Sequence, residues 1–334
     1  MSQSASPFAV RVSAPAKVNL YLEVGPVRRD GYHELVTVFQ AVGLHDEVVA
    51  SHAPSLRLAV HAMPAPGEPS GPGAPAGPSG VGVPGVPSDS RNLAWRAAEL
   101  LAARHGIAPR VRLDLYKAIP VAGGMAGGSA DAAAALLACA TLWATGTSRD
   151  ELAKMAGQLG SDVAFPLLGG TALGTGRGEV LAPALCTGRF HWVFALADFG
   201  ISAGDAYREL DRLRATGRPA RACAPDAVLD ALRSGDPRRL AAAMKESNDL
   251  QPAALSLAPS LRRVLAAGRD LGALVGIVSG SGATCAFLAA DEESAEQLAA
   301  ALTTEGVCRA ARVAAGPVPG ARVLAPRGGR APIG

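Results

Sequence analysis

Residues 120 to 131 read Pro-Val-Ala-Gly-Gly-Met-Ala-Gly-Gly-Ser-Ala-Asp and form the densest chemical signal in the chain. Two glycine pairs, Gly123-Gly124 and Gly127-Gly128, precede Ser129, Ala130 and an alanine-rich run to Ala144. That run is built of strong helix formers and predicts a long buried helix beginning near Ser129. Glycine tolerates positive φ and lets a backbone approach a ligand closely, so several N–H groups can be aimed at one point. The unpaired N–H donors and positive dipole end of the helix add to them, making an anion site suited to phosphates. The alternative is a turn whose glycines only permit tight packing. Asp131, at the helix start, is expected to cap and to gain from the dipole, a structural role. The P-loop pattern G-x-x-x-x-G-K-[ST] is absent, and Ala118-Ile119-Pro120 leads poorly into a dinucleotide fingerprint.

Other polar residues sit where chemistry is possible. Lys17 and Asn19 share parity on an apolar strand, which puts both on one face about 7 Å apart. A solvated face explains them equally well. Asp162 follows a glycine break at Gly160 and precedes apolar residues. Burial there raises a carboxylate pKa unless a cation such as Lys17 lies close; a cap for a short helix is the other reading. In Arg29-Asp30-Gly31-Tyr32-His33, Asp-Gly marks a tight turn presenting Tyr32 and His33. A lone histidine beside a turn is commonly structural. Ser279-Gly280-Ser281-Gly282-Ala283-Thr284 makes a second small-residue loop.

The elements that must position these residues follow from periodicity. Ala9 to Glu23 reads as a strand pair bent at Pro15, and Glu34 to Val49 as strand, turn and strand. Met63 to Pro87 is dominated by Pro, Gly, Ser and Ala and predicts a mobile excursion, over about 63–89, with no catalytic part. A helix over Asn92 to Arg104 and a strand over Val111 to Tyr116 lead into the glycine loop. Ser148 to Leu159 is a helix with Ser148 and Glu151 in a capping box. Phe190 to Asp198 is a strand, and Asp205 to Ala242 is helical with breaks at Gly217 to Pro219 and Gly235 to Pro237. Val275 to Val278, Cys285 to Ala289 and a helix over Glu292 to Leu302 suggest a β-α-β half-domain. The tail from Gly316 is expected to fray.

A chain of 334 residues is comfortable for two domains, and 49% hydrophobic residues supply a sizeable core. A net charge of +3 with few aromatics argues against a nucleic-acid surface. Five dispersed cysteines without C-x-x-C read as reduced thiols. No apolar run reaches membrane-spanning length and no leader pattern is present, so a cytoplasmic location is expected.

Three motifs, Ser13 to Leu20, Pro120 to Ala130 and Ser279 to Thr284, resemble in order and spacing those of the GHMP kinases, the galactose, homoserine, mevalonate and phosphomevalonate kinase family. Arg29 to Leu35, Leu159 to Val163 and Asn248-Asp249-Leu250 extend the resemblance over residues 10 to 315, toward members whose alcohol substrate carries a cytidine diphosphate in isoprenoid precursor synthesis. The resemblance implies an α+β, two-domain kinase fold, residues 1–170 and 171–334, with the active site in the inter-domain cleft. It implies ATP and Mg²⁺ as co-substrate and ion. Lys17 and Asp162 fall on the catalytic positions, and Asn19, Tyr32, His33 and Tyr207 on substrate-binding positions. ATP falls to Pro120, Val121, Ala122, Gly123, Gly124, Met125, Ala126, Gly127, Gly128, Ser129 and Ala130. Two positions depart from the family pattern: Ala164 stands in place of proline, and Ser202-Ala203-Gly204 lacks a hydroxyl. Another GHMP kinase, or a non-catalytic nucleotide-binding module of the same fold, is the rival reading.

Overall fold

The computed structural model describes residues 9–63, 83–217 and 224–325. Its first sheet starts from two long antiparallel strands, β1 (Ala9–Val27) and β2 (His33–His52), joined across the Asp30-Gly31 turn. Neither strand is broken as expected. The irregularity at Pro15 is a register shift between Pro15 and Ala16, which bends the ribbon without ending it. β3 (Arg57–Ala62) follows. α1 (Leu93–Arg104) is capped by Asn92, whose side chain accepts from the Ala94 N–H, and β4 (Val111–Lys117) then runs parallel to β3.

Residues 64–82 of the proline- and glycine-rich stretch lie outside the described residues. Residues 83–89 do not behave as a free excursion. Val83 and Val86 pack on the main core, and the Asn92 side-chain amide donates to the Pro87 carbonyl at 2.7 Å. Apolar burial and one anchored carbonyl order a segment whose composition alone predicts none.

α2 (Gly127–Leu142) is the centre of the first half. Its alanines are almost all buried, so it has no polar face, and it lies over β1 and β2 with α1 alongside. Small side chains let the helix sit close to the sheet. α3 (Arg149–Leu159) begins with the expected Ser148/Glu151 capping box and ends at Gly160. The short α4 (Ala164–Leu168) follows. β5 (Thr171–Thr175) and β6 (Val180–Pro183), beyond the boundary expected at residue 170, pair with β2 and with each other and so belong to the first sheet.

The second half is built on β7 (Phe190–Leu196), followed by the helices α5 (Ala203–Ala215), α6 (Pro225–Ser234), α7 (Pro237–Ala243), α8 (Gln251–Leu257) and α9 (Leu261–Asp270). β8 (Val275–Val278) and β9 (Cys285–Ala289) form an antiparallel hairpin across the glycine-serine turn. The loop of six residues between them is too short for a parallel crossover, which needs a dozen or more. α10 (Glu292–Thr304) and β10 (Ala310–Gly316) complete a four-stranded antiparallel sheet of order β10-β7-β9-β8. Residues 317–325 are anchored, not frayed; residues 326–334 lie outside the described residues. Val318 exchanges backbone hydrogen bonds with Gly170 and Ala41, and β11 (Arg322–Val323) adds to the edge of β1. Cys139, Cys186, Cys285 and Cys308 are free thiols; Cys223 lies outside the described residues.

The halves meet where β1 passes the segment before α8. The Leu22 N–H donates to Ser247 and the Asp249 N–H to Leu22, while Arg214 bonds both the Val24 carbonyl and Asp249. That seam brings the three glycine- and lysine-bearing motifs to one place.

Candidate active site

The glycine loop runs from β4 into α2. Ala122, Gly124 and Ala126 have positive φ, at 53°, 72° and 59°. Positive φ at every second residue is the alternation that turns successive N–H groups toward one side, an anion-binding nest. The two alanines adopt a conformation that costs an L residue roughly 1–2 kcal/mol, so surrounding contacts must hold it. α2 begins at Gly127, two residues earlier than expected, and no side chain caps its first N–H groups. Those donors are available to a phosphate.

The second small-residue loop closes on the first. Ser279 Oγ donates to the Gly124 carbonyl at 3.3 Å, and a Cβ at Gly124 would lie 1.9 Å from the Ser279 carbonyl oxygen. The loop is held from behind by Asn248, whose amide donates to the carbonyls of Val278 at 2.9 Å and Gly280 at 2.8 Å. Gly280 in turn faces Lys17 Nζ and Asn19 Oδ1, where a Cβ would come within 3.1 and 3.2 Å.

Lys17 and Asn19 do share one face of β1, but that face is buried. Lys17 Nζ donates to Asn19 Oδ1 at 2.5 Å, Asn19 donates to Thr37 Oγ1 at 2.9 Å, and Thr37 donates to the Tyr21 carbonyl at 2.7 Å. Lys17 Nζ also lies 3.7 Å from Asp162, with the lysine side chain 5% exposed and the aspartate 36%. The buried partner is therefore the cation, where burial of the acid was expected. Burial pushes the Lys17 pKa down, and the Asp162 carboxylate opposes that shift. Asp162 is not a cap: α4 starts after Val163 with no side-chain cap at all.

A cavity of about 310 Å³ opens beside the glycine loop, lined also by Val86, Pro87, Asn92, Leu93, Lys117 and Asp131. None of these six was singled out as a ligand-binding residue, because each reads locally as linker, cap or strand end. Their place beyond the phosphate loop suits the nucleoside part of a nucleotide. Asp131 also departs from its expected role. It does not cap α2; its Oδ2 accepts from Lys117 Nζ at 2.5 Å, and its Oδ1 is buried without a partner. Lys117 bonds Asp46 as well, and Asp46 Oδ1 accepts from the Ala118 and Ile119 N–H groups at 2.7 and 2.9 Å. Two buried carboxylates thus share one ammonium. Burial pushes the Asp131 pKa up to about 7 against the pull of Lys117.

This has a measurable consequence. An acid whose pKa rises on folding lends stability that is full below its unfolded value near 4 and is lost as pH rises through about 7. Asparagine mimics the protonated acid at every pH. Asp131→Asn is expected to match the parent in Tm near pH 4 and to exceed it at pH 8 by about 2 °C or more, read by thermal melts across that range. A variant less stable than the parent at pH 8 would show that the ionised carboxylate is needed.

At the other side of Lys17 stand the aromatic residues. Tyr207, on α5, lies parallel to His33 with centroids 5.0 Å apart at 16°, while Tyr32 is exposed and has the Arg177 guanidinium over its ring at 4.9 Å. The structure therefore pairs Tyr207 with His33. Burial first, and then the charge of Asp162, push the Tyr207 phenol pKa well up.

Loop amides arranged as an anion nest and a buried lysine facing a carboxylate are parts a small-molecule kinase requires. Family models for the GHMP kinases N terminal domain and the GHMP kinases C terminal match residues 92–170 and 228–308. The chain belongs to the GHMP kinase family. Within it, the chain is 53% identical to 4-diphosphocytidyl-2-C-methyl-D-erythritol kinase of Rhodococcus jostii, over 96% of this chain and 97% of that one. It is 55% identical to the enzyme of that name in Streptomyces avermitilis, over 95% of this chain and 100% of the relative. A crystal structure of 4-(cytidine 5'-diphospho)-2C-methyl-D-erythritol kinase matches at TM-score 0.67 and 32% identity, covering 91% of this chain and 98% of that one. Homoserine kinase from Cytophaga hutchinsonii, at TM-score 0.70 and 18% identity over 97% of this chain and 100% of that one, shares the fold.

Proposed function

We propose that this chain is an ATP-dependent kinase that phosphorylates the 2-hydroxyl of 4-diphosphocytidyl-2-C-methyl-D-erythritol, in isoprenoid precursor biosynthesis. The observation that carries the chemistry is the Lys17–Asp162 pair at 3.7 Å beside the glycine loop. Identity above 50% over nearly the full length, with relatives that bear this enzyme's name, supports the substrate.

In this reading the loop from Pro120 to Ala130 wraps the ATP phosphates, and the uncapped start of α2 offers its N–H groups to them. The nucleoside lies in the cavity lined by Asn92 and Leu93. Mg²⁺ enters with ATP as its complex; it is a small, hard ion usually bound by phosphates plus one or two carboxylates. Asp162 accepts the proton of the acceptor hydroxyl as the oxygen attacks the γ-phosphorus. Lys17 keeps that acid ionised and offsets charge on the transferring group. Asn19 and Thr37 hold the lysine in line, so little reorganisation is left for the transition state. Tyr32, His33 and Tyr207 receive the cytidine end. Among the described residues no helix is long and apolar enough to cross a membrane, and a cytoplasmic setting accords with a soluble substrate pair.

The direct test is ADP release from ATP with and without the cytidine diphosphate alcohol. Turnover that requires the alcohol supports the kinase; ATP binding without acceptor-dependent turnover would point to a non-catalytic module. A second expectation concerns the base. Stacking on an aromatic face is worth on the order of 1–3 kcal/mol, so Tyr207→Ala should raise the KM for the cytidine substrate roughly ten-fold or more and spare that for ATP. Equal loss on both substrates would instead indicate a folding defect.

A further inference from the structure

His33 is gripped from two sides by one helix. Tyr207 covers its ring face, and Asp211, one turn further along α5, takes its edge, with His33 Nε2 3.0 Å from Asp211 Oδ1. Residues four apart on a helix lie on one face, so α5 presents the two side chains together. The His33 side chain is 9% exposed and that of Asp211 46%. Among the described residues, Asp211 has no other hydrogen bond or ion pair. A polar contact with one partner nearly half-exposed contributes little to stability, which leaves its position unexplained by folding.

The pairing has a chemical consequence. An ionised carboxylate only accepts hydrogen bonds, so Nε2 must carry the proton. In neutral imidazole the other nitrogen, Nδ1, then holds a lone pair and is an acceptor. Cytosine and uracil differ at one edge position: the first offers an amino donor, the second a carbonyl acceptor. A histidine locked as an Nδ1 acceptor favours the amino group and leaves a uracil carbonyl facing a lone pair. Polar mismatch of that kind discriminates far better than shape, because a desolvated group is left unpaired.

We propose that Asp211 is a positioning residue that fixes the tautomer of His33 and thereby makes the site select cytosine over uracil in its diphosphate substrate. The proposal rests on the cytidine reading above and adds to it a residue and a reason for base choice. Asp211 touches neither the base nor the reacting phosphate; it acts through the imidazole.

The test compares kcat/KM for 4-diphosphocytidyl-2-C-methyl-D-erythritol with that for its uridine counterpart, in the full-length chain. The parent should prefer the cytidine compound. Asp211→Ala should lower kcat/KM for cytidine about ten-fold, through KM, with kcat, the KM for ATP and Tm unchanged, and should leave the uridine value nearly as it was. Asp211→Asn can donate to Nε2 and turn Nδ1 into a donor, so it should narrow the preference at least as far. Asp211→Glu, which keeps a carboxylate acceptor, should restore part of it. A cytidine preference unchanged in both the alanine and asparagine variants, with an active parent, would overturn the role of Asp211 and leave the kinase reading standing. A parent inactive on both compounds would overturn both.

Discussion

Asp162→Asn is expected to lower kcat by roughly 10²–10⁴-fold, the usual effect of losing a general base, while ATP binding persists. The substitution keeps shape and removes only the ionised acid. It also acts on its neighbour. Lys17 is buried, its pKa already pushed down by burial and supported by the Asp162 charge. Without that charge the lysine loses its proton more readily, so the variant's residual activity should decline toward alkaline pH sooner than the parent's. ATP affinity, measured separately, should stay within a few-fold because the glycine loop is untouched. Asp131→Asn serves as the control at a second acid near the loop, with only modest change in kcat expected. A fully active Asp162→Asn beside a dead Asp131→Asn would reverse the assignment of the base.

Gly124→Val should be the most damaging change in the loop. Its φ of 72° is one that L side chains rarely adopt, and its Cβ would meet the Ser279 carbonyl oxygen at 1.9 Å. That obstacle is backbone, held by Asn248 through the neighbouring carbonyls, and it cannot swing aside. Nucleotide affinity is expected to fall by at least about ten-fold, with a lower Tm as the two loops part. Gly127→Val should be milder, since its Cβ meets side chains and no backbone, Ile119 at 3.1 Å and Lys117 Nζ at 3.5 Å. Gly128→Ala separates packing from ligand contact, because a Cβ there meets no protein atom closer than 4.0 Å. Weaker ATP binding at unchanged Tm in that variant would mean that the phosphates themselves need the bare backbone. Unaltered nucleotide affinity in all three would reduce the loop to a packing turn.

What the sequence disclosed and what it hid follow from how local each signal is. Glycine pairs before an alanine run announce a loop and a buried helix, and Ser148 with Glu151 announces a helix start, because both signals are complete within a few residues. Lys17 and Asn19 showed shared parity but not burial; the face they occupy is decided by the second loop and Thr37, distant in the chain. Asp131 looked like a dipole-favoured cap, since its partner Lys117 lies 14 residues before it on β4, and Asp46, which shares that lysine, lies a further 71 residues back on β2. The segment 83–89 reads as linker by composition, and only its contacts with α1 and the core show that it walls a cavity. Asp211 was one acid among many on a charged helix until α5 was set against the β1–β2 turn. The β-α-β order expected of the second half is met by β9, α10 and β10, whose two strands both run antiparallel to β7 and so parallel to each other.

The identity of the alcohol that receives the phosphate is the most direct measure of what this chain does. With ATP held constant, kcat/KM should be measured for 4-diphosphocytidyl-2-C-methyl-D-erythritol, mevalonate and homoserine on the same preparation. The cytidine compound should be favoured by at least about 10³-fold, since a site that hydrogen-bonds and stacks a base leaves those groups unpaired with a small alcohol. Comparable or better turnover of mevalonate or homoserine would contradict the assignment.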